Sequence, residues 1–579
     1  MNPFDPILDQ PQVVEYEDLD PGATYRLANQ DLYFDVDATT DLRDLFWPWA
    51  DAVYARRIQV RISDPHDDDL MVMATRFYPG YQEVILGSEG MIVSKRLLAP
   101  LGSSYDRAVG WLLECQAEGD RLLRLEVEID WGEPLEQRMV DGLLVAQRNP
   151  SQARGIYAQQ NAESTRVFGN PHGLPSHVEL TDDGTAHLIY YVLVNGIVEV
   201  PLLLTVSDVG EQVAWNGFLA LRDVDRVFHL SVEAWDKAVK AGRLWTSDPR
   251  LNRALLVGRV ATLRRWQRLR SGHASATRQT RESATLVNSL DTFQVTHSRN
   301  LLAHLRRVAE ATSGRLPLLL PVAPKQAPED PGPEFVATAG AYLAALHGHL
   351  AHHPDAEVAA EHFPAVVACA EALIAARPTL HATRAAALLA QAGHGLRQAA
   401  ALAAQQQASA DVARWESEAH EAGRLAADLG GATPGDDLAN GSVLDGWQSM
   451  CGWRASTDRP WAFDNALTGI RLAGEAVWAG CGLAWRQGEL GVHPTQGNSW
   501  RWWALLDLPH GESTMSLVWD GETLHSTQPV RSDRPVQIHG RIKALHTDEY
   551  DFDLQFEMTP RPDGTPDGRR LFKPVFDTP

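Results

Sequence analysis

Carboxylates grouped near loops and tryptophans crowded into one region are the residues of this chain best suited to chemistry. Glu329, Asp330 and Glu334 lie in and just after a proline-rich stretch, and Asp436, Asp437, Asp445, Asp458 and Asp464 lie in a second loop region. Two carboxyl groups on opposite sides of a glycosidic bond, one as acid and one as base or nucleophile, suffice to hydrolyse it. Residues 447–519 hold nine of the eighteen tryptophans: Trp447, Trp453, Trp461, Trp478, Trp485, Trp500, Trp502, Trp503 and Trp519. Indole faces stack on the apolar faces of sugar rings, with neighbouring polar groups left for the hydroxyls. The competing reading is that these tryptophans build a helix–strand interface, where each buries a large area. Glu334 also fits a plainer role, as an acid favoured by the dipole at a helix start. Asp436 and Asp437 fit solvated turn positions.

Two further clusters stand out. His347, His349, His352 and His353 fall in HGHLAHHP. The i, i+4 pair His349 and His353 has the spacing to ligate one metal, but no HExxH pattern or third ligand accompanies it, so a solvated helix end is expected and no metal or other cofactor is assigned. Residues 249–281 carry nine arginines and no acid. In a chain of formal charge −23, their expected partner is the protein's own acidic surface, with an anionic ligand such as a sugar phosphate as the alternative.

The elements that must position these residues follow from hydrophobic periodicity. Residues 1–244 read as a β-sandwich domain. RRIQVRIS (56–63) and RLEVEID (124–130) alternate apolar and polar residues, as strands with one buried face do. Asn195-Gly196 stands between two β-branched runs in HLIYYVLVNGIVEVPLLLTV (187–206) and predicts a hairpin turn. Near Thr246 the period becomes helical. Ser247, Asp248 and Pro249 mark a helix start. Further helices are expected at about 283–311, 334–352, 357–376, 381–404 and 408–429, with breaks at His353-Pro354, Pro378 and Ala408-Ser409. Short connections make antiparallel helical hairpins. Residues 245–484 form this helical domain, interrupted by a loop at 317–333 with six prolines and by a second loop at 429–442. Residues 485–579 return to β, with Asp520-Gly521 as a hairpin signal, and end in a tail, RPDGTPDGRRLFKPVFDTP (561–579), that reads as a surface strap or a partly disordered segment.

Composition bounds the rest. The 579 residues, 44% hydrophobic and 22% charged, suit several globular domains. The strong negative charge argues against nucleic acid and anionic membranes as partners. Four scattered cysteines make no disulfide framework or zinc ribbon, which fits a reducing, cytoplasmic setting. The first residues show no basic, then apolar, leader, and no run of about 18 apolar residues predicts a membrane span. GxxxxGK[ST], GxGxxG after a strand and GxSxG are all absent, which argues against nucleotide enzymes and α/β-hydrolases. Oligomeric state is not legible.

The order of parts resembles the six-hairpin glycosidases, especially bacterial proteins similar to glycogen-debranching amylo-α-1,6-glucosidases. Stretches that carry the resemblance are LRLEVEIDWGEP (123–134), LWTSDPRLNRALLVGRVATLRRW (244–266), VTHSRNLLAHLRRVAEATSGRLP (295–317), PEFVATAGAYLAAL (333–346), EHFPAVVACAEALIA (361–375) and the helical run from Thr383 to Ala426. The resemblance implies a multidomain α+β chain: a β-supersandwich, a central (α/α) helical-hairpin toroid and a small C-terminal β domain. It implies a carbohydrate-active protein that hydrolyses an α-glucan or related oligosaccharide with two carboxylates and no metal. Expected catalytic residues are Glu334 with Asp445 or Asp464. Expected contacts to an oligosaccharide or polysaccharide are Trp447, Trp453, Trp461 and Arg299. The chain departs from the family at two places. Family members commonly carry an Arg-Asp pair where this chain has Arg299-Asn300, and a long acidic loop where it has RPTLHA (377–382). These departures support an alternative, a catalytically degenerate protein that binds carbohydrate or serves as a scaffold without cleaving it.

Overall fold

The computed structural model describes residues 12–15, 25–65, 70–102, 105–148, 164–247, 249–324, 326, 328–430, 476–486, 489–494, 500, 502–511, 513–547, 552–557 and 571–572. Asp445, Asp464, Trp447, Trp453 and Trp461 lie outside them, as do Asp436, Asp437, Asp458 and Cys451.

Two strands of 23 residues, Ala108–Asp130 and Thr185–Ser207, organise the N-terminal domain. They pair with each other along their whole length and belong to two antiparallel layers. Residues 121–130 and 185–194 lie between Ala52–Ser63 and the edge strand His177–Leu180. Residues 108–117 and 196–205 lie between Met91–Leu98 and Thr165–Gly169. The apolar faces of both layers, among them Leu125, Val127, Trp111 and Leu113, meet in one buried cluster. Alternating side chains give each layer this single buried face.

The register breaks between Val194 and Gly196, where the strand passes from one layer to the other. This corrects the expected hairpin at Asn195-Gly196. Gly196 does take positive φ, 73°, but it supplies a bulge and bend within a continuous strand. Gly119, with φ 96°, makes the matching bend on the partner strand. Local turn chemistry was read correctly and its consequence was not. By contrast, Asp520-Gly521 joins Ser513–Trp519 to Leu524–Ser526 as expected of a hairpin.

The span 1–244 is not all strand. Helices α1 (Glu211–Ala220) and α2 (Val224–Lys240) follow the long strand. Asp223 caps α2 by accepting from the Arg226 N–H. The helical region then contains α3 (Pro249–Arg265), α4 (Thr280–Leu290), α5 (Val295–Ala311), α6 (Phe335–His352), α7 (Ala356–Ala382), α8 (Ala386–Gln405) and α9 (Ser409–Asp428). Two expected boundaries shift. The helix expected at 283–311 is two, α4 and α5, separated at Asp291–Gln294. The break expected at Pro378 is absent, because α7 runs through both Pro364 and Pro378. RPTLHA is therefore helix and not a connection. Helix α7 is long and apolar enough to cross a membrane by length and composition alone, but its Ala365, Val366, Cys369, Ala370 and Leu373 pack into the helical core.

Helices α4, α6 and α8 run parallel and pack in sequence, α4 on α6 and α6 on α8. Close approach between α6 and α8 depends on small residues. A Cβ built on Gly395 would stand 3.3 Å from the Gly340 Cα and 2.9 Å from Leu373 Cδ1. Helices α5, α7 and α9 return antiparallel, as hairpin partners. A closed six-hairpin ring is not among the described residues. Finally, Arg243–Thr246 pairs with Trp503–His510, so the C-terminal sheet takes a strand from ahead of the helical region.

Candidate functional site

The parallel helices open their N-terminal ends at one place. Thr280 Oγ, on the first turn of α4, donates to the Pro317 carbonyl at 2.6 Å, and Thr338 Oγ, on the first turn of α6, donates to the adjacent Leu316 carbonyl at 2.7 Å. The proline-rich loop thus lies across both helix starts, a loop as expected from its composition. Leu319 also bridges to Gln279. Three rising helix dipoles converge on this end and favour negative charge there.

Glu334 occupies that end. It closes a short 3-10 turn, Gly332–Glu334, immediately before α6. It is exposed and makes no ion pair among the described residues. Nearby, Asp330 takes Arg315 at 3.0 Å, and the Arg315 guanidinium lies 4.9 Å from the centre of the Phe335 ring. The N-terminal domain reaches the same end through Asp51, which pairs with Arg278 at 3.6 Å just before α4. Sequence reasoning passed over Asp51, because its partner is more than two hundred residues away and no local pattern marks it.

Arg299 lies at the other end. It sits in the first turns of α5 and pairs at 3.0 Å with Asp355. Asp355 in turn caps α7 by accepting from the Glu357 and Val358 N–H groups. Because α6 has 18 residues, its two ends are about 27 Å apart at 1.5 Å per residue. One site cannot use both Glu334 and Arg299.

That far end holds the histidines of HGHLAHHP, and here the expected solvated helix end is corrected. His349 and Asp291 are both fully buried, with Nδ1 and Oδ1 2.7 Å apart. His353 Nε2 lies 2.9 Å from the Asp291 carbonyl oxygen. His352 stacks on Trp478 at 3.9 Å, with the planes 2° apart. Burial opposes the Asp291 charge, but His349 and then His353 and His352 around it hold its pKa below the usual carboxylate value. The two histidines spaced for one metal are instead divided between the side chain and backbone of a single aspartate. The sequence signal for this was the i, i+4 spacing, read without its third member, Asp291. Trp478, Trp503 and Trp519 are buried in the core, so for these three the interface reading holds.

The arginine-rich segment turns inward, as its sequence suggested. Arg268 makes a two-pronged pair with Asp31, both contacts 2.9 Å. Arg270 reaches Asp208 at 2.9 Å, and Arg265 pairs with the buried Glu282. Arg264 donates to the Tyr78 and Pro79 carbonyls and lies over the Tyr25 ring at 4.4 Å. The segment joins the helical region to the β domain. Immediately after α3, Trp266–Leu269 forms a strand with Gly272–Ser275, and Trp266 is held between His273 and His297, at 4.6 and 3.9 Å.

No family model matches the sequence, and no curated protein does. Solved structures do. A protein assigned as a kojibiose phosphorylase from the human microbiome superposes with a TM-score of 0.56 at 8% identity, over 99% of this chain and 92% of that one. A bacterial glucoamylase complexed with acarbose gives a TM-score of 0.47 at 12% identity, over 71% and 70%. A family GH78 rhamnosidase of Bacillus sp. GL1 gives 0.38 at 12% identity, over 74% and 53%. At such identities the first of these establishes likeness of fold alone: this chain shares its order of strands, helical hairpins and strands with that protein.

Proposed function

We propose that the protein is carbohydrate-active and binds an oligosaccharide, an α-glucan or a relative of one, at the end where α4, α6 and α8 start. Glu334 carries this reading. It is a carboxylate on the rim of converging helix N-termini, exposed and without an ion pair among the described residues, in a fold shared with a protein assigned as a kojibiose phosphorylase. A carboxylate so placed accepts hydrogen bonds from sugar hydroxyls. The proline-rich loop and Asp51 bound the same rim.

A second reading keeps catalysis: Glu334 acts as acid with Asp445 or Asp464 as base, and Trp447, Trp453 and Trp461 supply stacking faces. The exposed carboxylate favours it. The sequence Arg299-Asn300, where the resembling family carries an Arg-Asp pair, favours binding without cleavage. The test is incubation with a panel of α- and β-linked oligosaccharides, with and without inorganic phosphate, followed by chromatography of products and by calorimetric binding. Binding without released sugar supports the first reading. Release that disappears in Glu334→Gln supports the second. Neither binding nor release across the panel, by folded protein, contradicts both.

A further inference from the structure

On the solvent face of the N-terminal domain, far in sequence from the helix starts, two histidines and three carboxylates converge. His177 and Glu179 lie two residues apart on the edge strand His177–Leu180 and so point to one face. Glu179 stands directly opposite His187 on the neighbouring long strand, and His187 stands opposite Glu128 on the next. Ligand atoms of His177, Glu179 and His187 all lie within 4.8 Å of one another, as do those of Glu126, Glu128 and His187. His187 belongs to both groups.

The two groups differ in what already holds them. Glu128 is engaged by Arg61 at 3.2 Å and Glu126 by Arg124 at 3.3 Å. An ion on the second group would have to displace both guanidinium groups. Among the described residues no arginine pairs with the first group, and it offers two imidazoles and one carboxylate. Glu126 Oε1 lies 2.6 Å from His187 Nε2, so an ion on the first group takes the other ring nitrogen, Nδ1, and leaves this carboxylate contact to orient the imidazole from outside. Two nitrogen donors with one oxygen suit zinc and its neighbours over calcium or magnesium, which prefer all-oxygen sets.

We infer that His177, Glu179 and His187 form a surface site for a divalent transition metal of the zinc type, with Glu126 positioning His187. Two of the three ligands come from the edge strand and the third from the strand it pairs with. A bound ion would therefore pin His177–Leu180 to the strand beside it.

The test is calorimetric titration of the chelator-stripped full chain with zinc chloride. One zinc per chain is expected, with a rise in melting temperature. His177→Ala and His187→Ala each weaken binding tenfold or more, and His229→Ala, an exposed histidine on α2, leaves it unchanged. Magnesium chloride gives no competing binding. Because His187 also contacts Glu126, the unliganded melting temperature of each variant is checked first, and His177→Ala decides the matter if His187→Ala fails to fold. Absence of zinc binding, or binding of wild-type strength in His177→Ala, overturns the assignment.

Discussion

His349 and Asp291 meet 2.7 Å apart with neither side chain exposed, and they tie the end of α6 to the residue that ends α4. Two parallel helices of the central bundle are thereby held at one depth. Breaking a buried pair leaves its partner without compensation, at a cost of about 3–5 kcal/mol. Asp291→Ala is expected to destabilise the protein by about that much in urea unfolding. A loss under about 1 kcal/mol would show that the pair does not hold the bundle.

Acid is expected to loosen the seam between α5 and the strands that follow α3. Burial pushes His273, His297 and His304 each down to about 4; neighbouring His304 adds to the effect at His273. Free histidine titrates near 6.5. Between about pH 6.5 and 4 the unfolded chain takes up protons that the folded chain refuses, so stability is full above this window and falls as pH drops through it. His304, almost fully buried, accounts for roughly 3 kcal/mol at about 1.4 kcal/mol per pKa unit. His304→Gln flattens the fall in melting temperature between pH 6.5 and 4; an unchanged slope would contradict the assignment.

Much of this was legible in the sequence, and the failures share a cause. Strand alternation, the switch of period near Thr246, the proline loop and the inward role of the arginines were readable, because each is a local pattern or a charge balance. The hairpin expected at Asn195-Gly196 failed because a positive-φ pair serves a turn and a bulge equally, and only the partner strand, Ala108–Asp130, decides between them. His349 was misplaced because burial depends on Asp291, 58 residues away. Within the candidate site, Glu334 was located correctly at a helix start, whereas its separation from Arg299 follows from the direction of α5 against α6, which spacing along the chain does not encode.

The bend at Gly196 gives a direct check on that account of the long strands. Nothing lies within 4 Å of a Cβ built there, so space is not the constraint, but φ is 73°. A β-branched residue pays about 1–2 kcal/mol in that region. Gly196→Val is expected to lower stability by this amount, measured by chemical unfolding. An unchanged stability would mean that the bend does not need a left-handed residue.

The contact of Arg268 with Asp31 crosses from the hairpin after α3 to the β domain. Hydrogen bonds to charged groups contribute about 1.5–3 kcal/mol, and the partly exposed arginine puts this one at the lower end. Arg268→Ala is expected to cost about 1–2 kcal/mol, and Arg281→Ala, outside the observed pairs, less than about 0.5 kcal/mol. Equal effects would deny the segment its joining role.

The central claim is that ligand binds at the end marked by Glu334 and not at the end marked by Arg299. Calorimetric titration with the tightest-binding oligosaccharide of the panel, on wild type, Glu334→Gln and Arg299→Ala, tests it most directly. Affinity reduced tenfold or more in Glu334→Gln and unchanged in Arg299→Ala is the predicted result. Affinity lost in Arg299→Ala and kept in Glu334→Gln, with both variants folded, would contradict the account.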